Sequence, residues 1–129
     1  ETAKKIKTYI FYNKKDKKKI KLLKKAGIFL IHLGLNKNNH FDLSTVLKKI
    51  NTVGIKHLLV EGGKKLTMNF LESNFFNQFY LFKSNNSLKS NGSIKISDIF
   101  SGLNKNFKNK KMLDTYSNKD KIIRYFNYV

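Results

Sequence analysis

"HLLVEGGKKLTMNFLESNFFNQFYLF", residues 57–82, decides how this chain is read. Its first four residues, His57 to Val60, form a short apolar run of the kind that makes a buried strand. Glu61-Gly62-Gly63 follows at once. Leu66, Phe70 and Leu71 then recur at helical spacing and predict a helix over residues 63–74. A second apolar and aromatic run ends at Phe82 and predicts another strand. A bare Glu-Gly-Gly turn between a core strand and a helix, in a chain so rich in lysine, raises the question of what it faces.

Working toward the N-terminus, the same alternation repeats. "KTYIFYN" (7–13) predicts a strand. "KKDKKKIKLLKKAG" (14–27) predicts a helix with Ile20, Leu22 and Leu23 inward and Gly27 closing its end. "IFLIHL" (28–33) predicts a second strand and "NKNNH" a loop. "FDLSTVLKKINTVGI" (41–55) predicts a helix with Asp42 as N-cap, an apolar stripe of Leu43, Val46, Leu47 and Ile50, and a stop at Gly54. The order strand-helix-strand-helix-strand-helix-strand predicts an α/β fold, a mainly parallel sheet with helices on both faces. Beyond Phe82 the polar "KSNNSLKSNGS" (83–93) predicts a loop. "IKISDIF" (94–100) and "KKMLDTYS" (110–117) read as short strands or connectors. "KDKIIRYFNYV" (119–129) reads as a terminal strand, so an antiparallel C-terminal extension is expected.

The 129 residues suit a single domain able to bury a core. A hydrophobic content of 40% with 13% aromatics is not a disordered composition. No apolar run approaches the ~20 residues of a membrane span, and the first residues lack a secretory signal. The absence of cysteine fits a reducing, cytoplasmic setting. Glu1 is not an initiator methionine, so a processed chain or a piece of a longer one is expected. The formal charge of +19 raises nucleic acid as a partner. However, 26 of the 27 basic residues are lysine, and Arg124 is the sole arginine, whereas base and phosphate readers favour arginine. Lys, Asn, Ile and Phe share A/T-rich codons. The excess charge therefore reads as compositional drift on solvated faces.

In an open α/β sheet, ligands sit beyond the carboxyl ends of the strands, where the Glu61-Gly62-Gly63 turn falls. Glycine there permits unusual dihedrals and close approach of a ligand. The following helix aims free N–H groups and its positive dipole end at the same spot, which suits a pyrophosphate. Lys64 and Lys65 add positive charge. Glu61 would repel a phosphate and so is expected to serve a second ligand next to it. The plain alternatives are a tight turn with no ligand, and an acid held by the helix dipole.

The run "GIKHLLVEGGKKLTMNFLESNFFNQFYLF" (54–82) resembles the C-terminal reductase domain of the bifunctional riboflavin-biosynthesis deaminase/reductase. That family carries a Gly-Ile-x-x-Leu-Leu-Val-Glu-Gly-Gly-x-x-Leu pattern. The resemblance covers residues 1 to about 83 well. It implies a dihydrofolate-reductase-like fold and NADPH-dependent reduction of 5-amino-6-(5-phosphoribosylamino)uracil to its ribityl form. It places substrate contact on Glu61 and cofactor contact on Gly62, Gly63, Lys64, Lys65, Leu66 and Thr67, and it names no catalytic residue. It also favours a homodimer.

Two departures accompany the resemblance. The chain begins partway into the family's domain, so the opening strands, much of the substrate pocket and part of the nicotinamide site are expected upstream. The family's Ala-Pro-x-x-x-Gly-Gly-like segment reads "KSNNSLKSNG" (83–92), with no proline and one glycine. The family's zinc-binding deaminase half has no counterpart, because there is no cysteine and His32, His40 and His57 lack metal-site spacing. No metal is expected. Two other functions stand beside the reductase: a non-catalytic remnant that keeps the fold, and a basic nucleic-acid-binding α/β domain. The latter needs aromatics on an open face, whereas Tyr9, Phe11, Phe29, Phe79 and Tyr80 fall at strand positions and read as core.

Overall fold

The computed structural model describes residues 2–86, 97–113 and 120–128. The chain divides into two compact units, Glu1–Leu58 and Leu59–Val129, each considered by itself. The first unit runs α1 (Thr2–Lys5), β1 (Tyr9–Tyr12), α2 (Lys17–Lys25), β2 (Phe29–His32) and α3 (Leu43–Thr52). β1 and β2 pair in parallel, from Tyr9 opposite Phe29 to Tyr12 opposite His32. Parallel neighbours cannot be joined by a hairpin, and α2 supplies the crossover and packs on β2.

Helix boundaries in this unit follow from capping. Asp16 accepts the Lys19 N–H at 3.0 Å and opens α2, and Asp42 accepts the Thr45 N–H at 2.8 Å and opens α3. Both helices close through a left-handed residue. Gly27 (φ 82°) donates its N–H to Lys24 and Ile28 donates to Leu23. Gly54 (φ 87°) donates to Asn51 and Ile55 donates to Ile50. The expected N-cap at Asp42 and the stops at Gly27 and Gly54 are all present. Leu22, expected inward, is 67% exposed. At ~100° per residue it lies on the far side of α2 from half-buried Ile20.

The second unit runs α4 (Lys64–Glu72), β3 (Gln78–Lys83), α5 (Ser97–Asn106), β4 (Asn109–Leu113) and β5 (Lys121–Phe126). Its sheet has the order β3-β5-β4 and is antiparallel throughout, with Gln78 opposite Phe126 and Asn109 opposite the same residue. Phe79, Leu81, Ile123 and Tyr125 share its inner face and meet Leu71 of α4 and Leu103 of α5. α4 closes as α2 and α3 do, with Asn74 (φ 52°) in the glycine role. Asn74 donates to Leu71, Phe75 donates to Phe70, and the two phenylalanine rings meet edge-on at 6.5 Å. Phe70 also stacks on Phe76 at 4.9 Å.

The expected α/β class holds, with a parallel pair and a separate antiparallel sheet, but four elements differ from the sequence reading. His57–Val60 forms no strand: Leu58 and Leu59 are 46% and 81% exposed, and no described strand pairs with their backbone groups. An apolar run becomes a strand only when another strand satisfies its N–H and C=O groups. β3 pairs antiparallel with β5 and does not continue a parallel run. Residues 97–106 are helical, although the stretch up to residue 100 was expected to be a strand or connector. Phe29 and Tyr80, read as core, are 50% and 45% exposed, so strand position alone did not make them core. The short helix α1 was not anticipated. Residues 87–96 and 114–119, which hold most of the expected polar loop and the end of "KKMLDTYS", lie outside the described residues. Among the described residues no helix is long and apolar enough to cross a membrane.

Asp42 provides an acid-titration test of the α3 cap. Hydrogen bonds from the Thr45 hydroxyl, the Ser44 hydroxyl and the Thr45 N–H lower its carboxyl pKa from 3.8 to about 2. A depressed carboxylate contributes stability that is complete above its ordinary pKa and is lost as pH falls through the folded value. Asp42→Ala should therefore melt below the parent chain at neutral pH. The gap should close as pH falls from 3.8 toward 2. A gap independent of pH in circular-dichroism melts would show that the charge of the cap is immaterial.

Candidate functional site

The turn and the first turn of α4 form a small, well-defined surface. Gly63 is the N-cap of α4, with φ −71° and ψ 174°, and no side chain caps the helix. Thr67 donates its N–H to the Gly63 carbonyl at 3.2 Å and begins the helical ladder. The N–H groups of Lys64, Lys65 and Leu66 precede that ladder and point out of the helix end. They are the amides that a ligand would meet, while Thr67 retains only its hydroxyl for such a role. An open concavity of about 710 Å³ lies here, lined by Gly63, Lys64, Lys65, Leu66 and Met68.

The two glycines serve different ends, and neither provides the unusual dihedral expected of the turn. The positive-φ glycines of the chain are Gly27 and Gly54 among the described residues. Gly62 sits against Leu66: a Cβ there would lie 2.7 Å from Leu66 Cδ2 and 3.2 Å from Leu66 Cβ, so the leucine side chain would have to turn aside. This contact occupies Leu66, which is turned back on the turn and 38% exposed, not directed into the core as expected. Gly63 is different, since a Cβ there meets nothing within 4 Å. Its backbone is of a kind that any residue adopts. Its missing side chain leaves open space in front of three outward N–H groups.

The charges are arranged less simply than the sequence suggested. Lys64 Nζ lies 2.5 Å from Asp98 Oδ2, in the first turn of α5. The Lys64 ammonium lowers the Asp98 carboxyl below its ordinary range, by hydrogen bond and then by charge, with help from the Ser97 hydroxyl. Lys65 is exposed and has no ion pair among the described residues. Glu61 is exposed, and its carboxylate has no hydrogen bond or ion pair among them either. It is thus not tied down as a helix-terminal acid.

Asp98 was missed because "IKISDI" alternates like a strand. The stripe Ile99, Phe100, Leu103, Phe107 behind an Ser-Asp start was the helical signal that could have found it. Of the histidines, His32 ends β2 and donates its Nε2–H to the Asn13 carbonyl at 3.1 Å. His40 sits in the loop 36–40, and His57 is exposed and outside any strand. Among the described residues no cluster of three or more potential metal ligands occurs. Lys14 and Lys15 are exposed in the first unit, between β1 and the Asp16 cap.

Substitutions at the paired glycines should separate their roles. Gly63→Ser has room and places a hydroxyl at an uncapped N-cap, so it should stabilise the protein by about a few tenths of a kcal/mol. Gly62→Ala turns the partly exposed Leu66 side chain aside and should destabilise by less than ~1 kcal/mol. Denaturant unfolding of both variants checks this, and equal shifts of the same sign would refute the assignment.

Comparison with known proteins places this surface within a family. Residues 2–84, from α1 through β3, match the family described as the RibD C-terminal domain. A relative is the riboflavin biosynthesis protein RibD of Aquifex aeolicus (strain VF5), 34% identical over 73 residues. That alignment covers 57% of this chain and 19% of the relative, so the chain spans about a fifth of the length of that protein. The α5 helix with Asp98, and strands β4 and β5, lie beyond the matched residues. With the match spanning the turn, its helix and well over half the sequence, the chain belongs to the RibD C-terminal domain family.

Proposed function

We propose that this chain acts in riboflavin biosynthesis as an NADPH-dependent reductase of 5-amino-6-(5-phosphoribosylamino)uracil, with the first turn of α4 holding the dinucleotide's phosphates. The observation that carries the reading is the open cradle at Gly63. A glycine whose Cβ would meet nothing within 4 Å caps a helix with no side-chain cap, and it lies inside the family match. A phosphate oxygen would take the place of the missing cap and accept from the Lys64, Lys65 and Leu66 N–H groups. The exposed Lys65 ammonium adds charge on the same turn, and the Thr67 hydroxyl offers one further donor. Gly62 shapes the turn without touching the ligand. When bound, NADPH supplies the hydride for reduction of the sugar. Glu61, exposed and without a partner among the described residues, accepts hydrogen bonds from N–H or O–H groups of the substrate.

A second reading, a remnant that keeps the fold without catalysis, is favoured by one observation. The Leu58–Leu59 segment leading into the turn is exposed and unpaired, so nothing in the described residues braces Glu61 from that side.

Titration of NADPH and NADH into the protein, followed by nucleotide fluorescence, tests the proposal. NADPH should bind and NADH should bind more weakly. Gly63→Val should remain folded and lose NADPH, because its side chain fills the cradle. Glu61→Gln should keep NADPH but weaken substrate about tenfold to a hundredfold, the consequence of ~1–3 kcal/mol for a mismatched polar contact. Unchanged NADPH affinity in folded Gly63→Val would remove the phosphate site. Parent-like substrate affinity in Glu61→Gln would remove the substrate role, and an absence of any nucleotide binding would favour the remnant.

A further inference from the structure

We infer that Asp98 is a positioning residue that sets nucleotide affinity by competing with the ligand's phosphate for Lys64. This rests on the phosphate reading of the α4 turn and adds to it a control that the family match does not contain, since Asp98 lies beyond residues 2–84. Lys64 lines the concavity at the helix end, yet its ammonium is held by Asp98 Oδ2 at 2.5 Å. The Asp98 carboxylate also accepts from the Ser97 hydroxyl at 3.2 Å, which helps to orient it. α5 is fixed relative to α4 by buried Leu103 against Leu71 and by the Asn106 side-chain amide donating to the Leu71 carbonyl. Asp98 therefore stays beside the site whether or not a ligand is present. The side chains of the pair are 31% and 57% exposed, so water screens it and a phosphate can displace the carboxylate. A phosphate on the α4 amides takes over Lys64, and Asp98 is released to solvent. The carboxylate competes with an incoming anion for Lys64 and weakens every anionic ligand by the strength of the pair.

The experiment measures NADPH dissociation constants for the parent chain, Asp98→Asn, Asp98→Glu, Lys64→Met and the Lys64→Met/Asp98→Asn double variant, with thermal melts as a control for folding. Asp98→Asn should bind NADPH roughly two- to fivefold more tightly, the range set by an exposed ion pair. Asp98→Glu, which keeps the charge, should return toward the parent affinity. In the Lys64→Met background the Asp98→Asn change should lose most of its effect, since the competition acts through Lys64. The advantage of Asp98→Asn over the parent should also narrow as salt rises. If the parent binds NADPH and Asp98→Asn binds equally or more weakly while folded, the competition is overturned and the phosphate reading stands. If Asp98→Asn tightens binding equally with and without Lys64, Asp98 repels the ligand directly and the positioning role is overturned. If neither chain binds NADPH, both readings fall together.

Discussion

The second unit depends on the seam between α4 and α5. Leu71 and Leu103 are almost wholly buried there, at 1% and 0% exposure. Gly102 makes this approach possible, because a Cβ at that position would lie 3.2 Å from Leu71 Cδ1. Burying a leucine side chain contributes about 1.5–3 kcal/mol, so this pair anchors an otherwise thin core. A polar clasp ties off the same seam. Asn106 donates to the Leu71 carbonyl, Asn127 donates to the Asn106 carbonyl at 2.8 Å, and Lys108 donates to Asn127 Oδ1 at 2.9 Å. Helix α4 cannot shift without breaking these contacts. The seam thereby fixes the helix end that bears Gly63, and it brings Asp98 to Lys64.

This arrangement gives the site a rigid floor and a bare rim. Its floor is a helix locked by Phe70, Leu71 and the closing turn at Asn74. Its rim consists of Glu61 and Lys65, whose side chains have no hydrogen bond or ion pair among the described residues, and of one lysine held by a neighbouring helix. Backbone amides on a packed helix need no reorganisation to receive a phosphate, whereas long charged side chains lose freedom when they do. On the proposed phosphate reading, recognition falls to the backbone, and modulation of its strength to Lys64 and Asp98.

Legibility from sequence followed locality. The caps at Asp42, Gly27 and Gly54 were readable because a capping side chain or a left-handed glycine acts on its own helix. The α4 helix was readable because the helical spacing of its apolar residues is also local. What failed was long-range pairing. The apolar text of His57–Val60 says that a strand would be satisfied there, but it cannot supply the second strand that would satisfy it. β3 was correctly foreseen as a strand, yet its antiparallel partner lies about forty residues away, at β5, and no local signal fixes that choice. Within the site, the glycine pair was found for an incomplete reason: packing on Leu66 explains Gly62, and open space explains Gly63. The Lys64–Asp98 pair spans 34 positions and crosses a segment whose alternating isoleucines resemble a strand, so the sequence hid it.

The central claim is that the first turn of α4 receives the phosphates of a dinucleotide. Amide chemical-shift mapping of the isotopically labelled protein during NADPH titration tests it most directly, because the amides themselves are the proposed ligands. The account predicts large, saturable shifts at Lys64, Lys65 and Leu66, with smaller ones at Gly63 and Thr67, and matching shifts from inorganic pyrophosphate at higher concentration. Saturable NADPH shifts that leave these five amides unmoved and cluster elsewhere would contradict it.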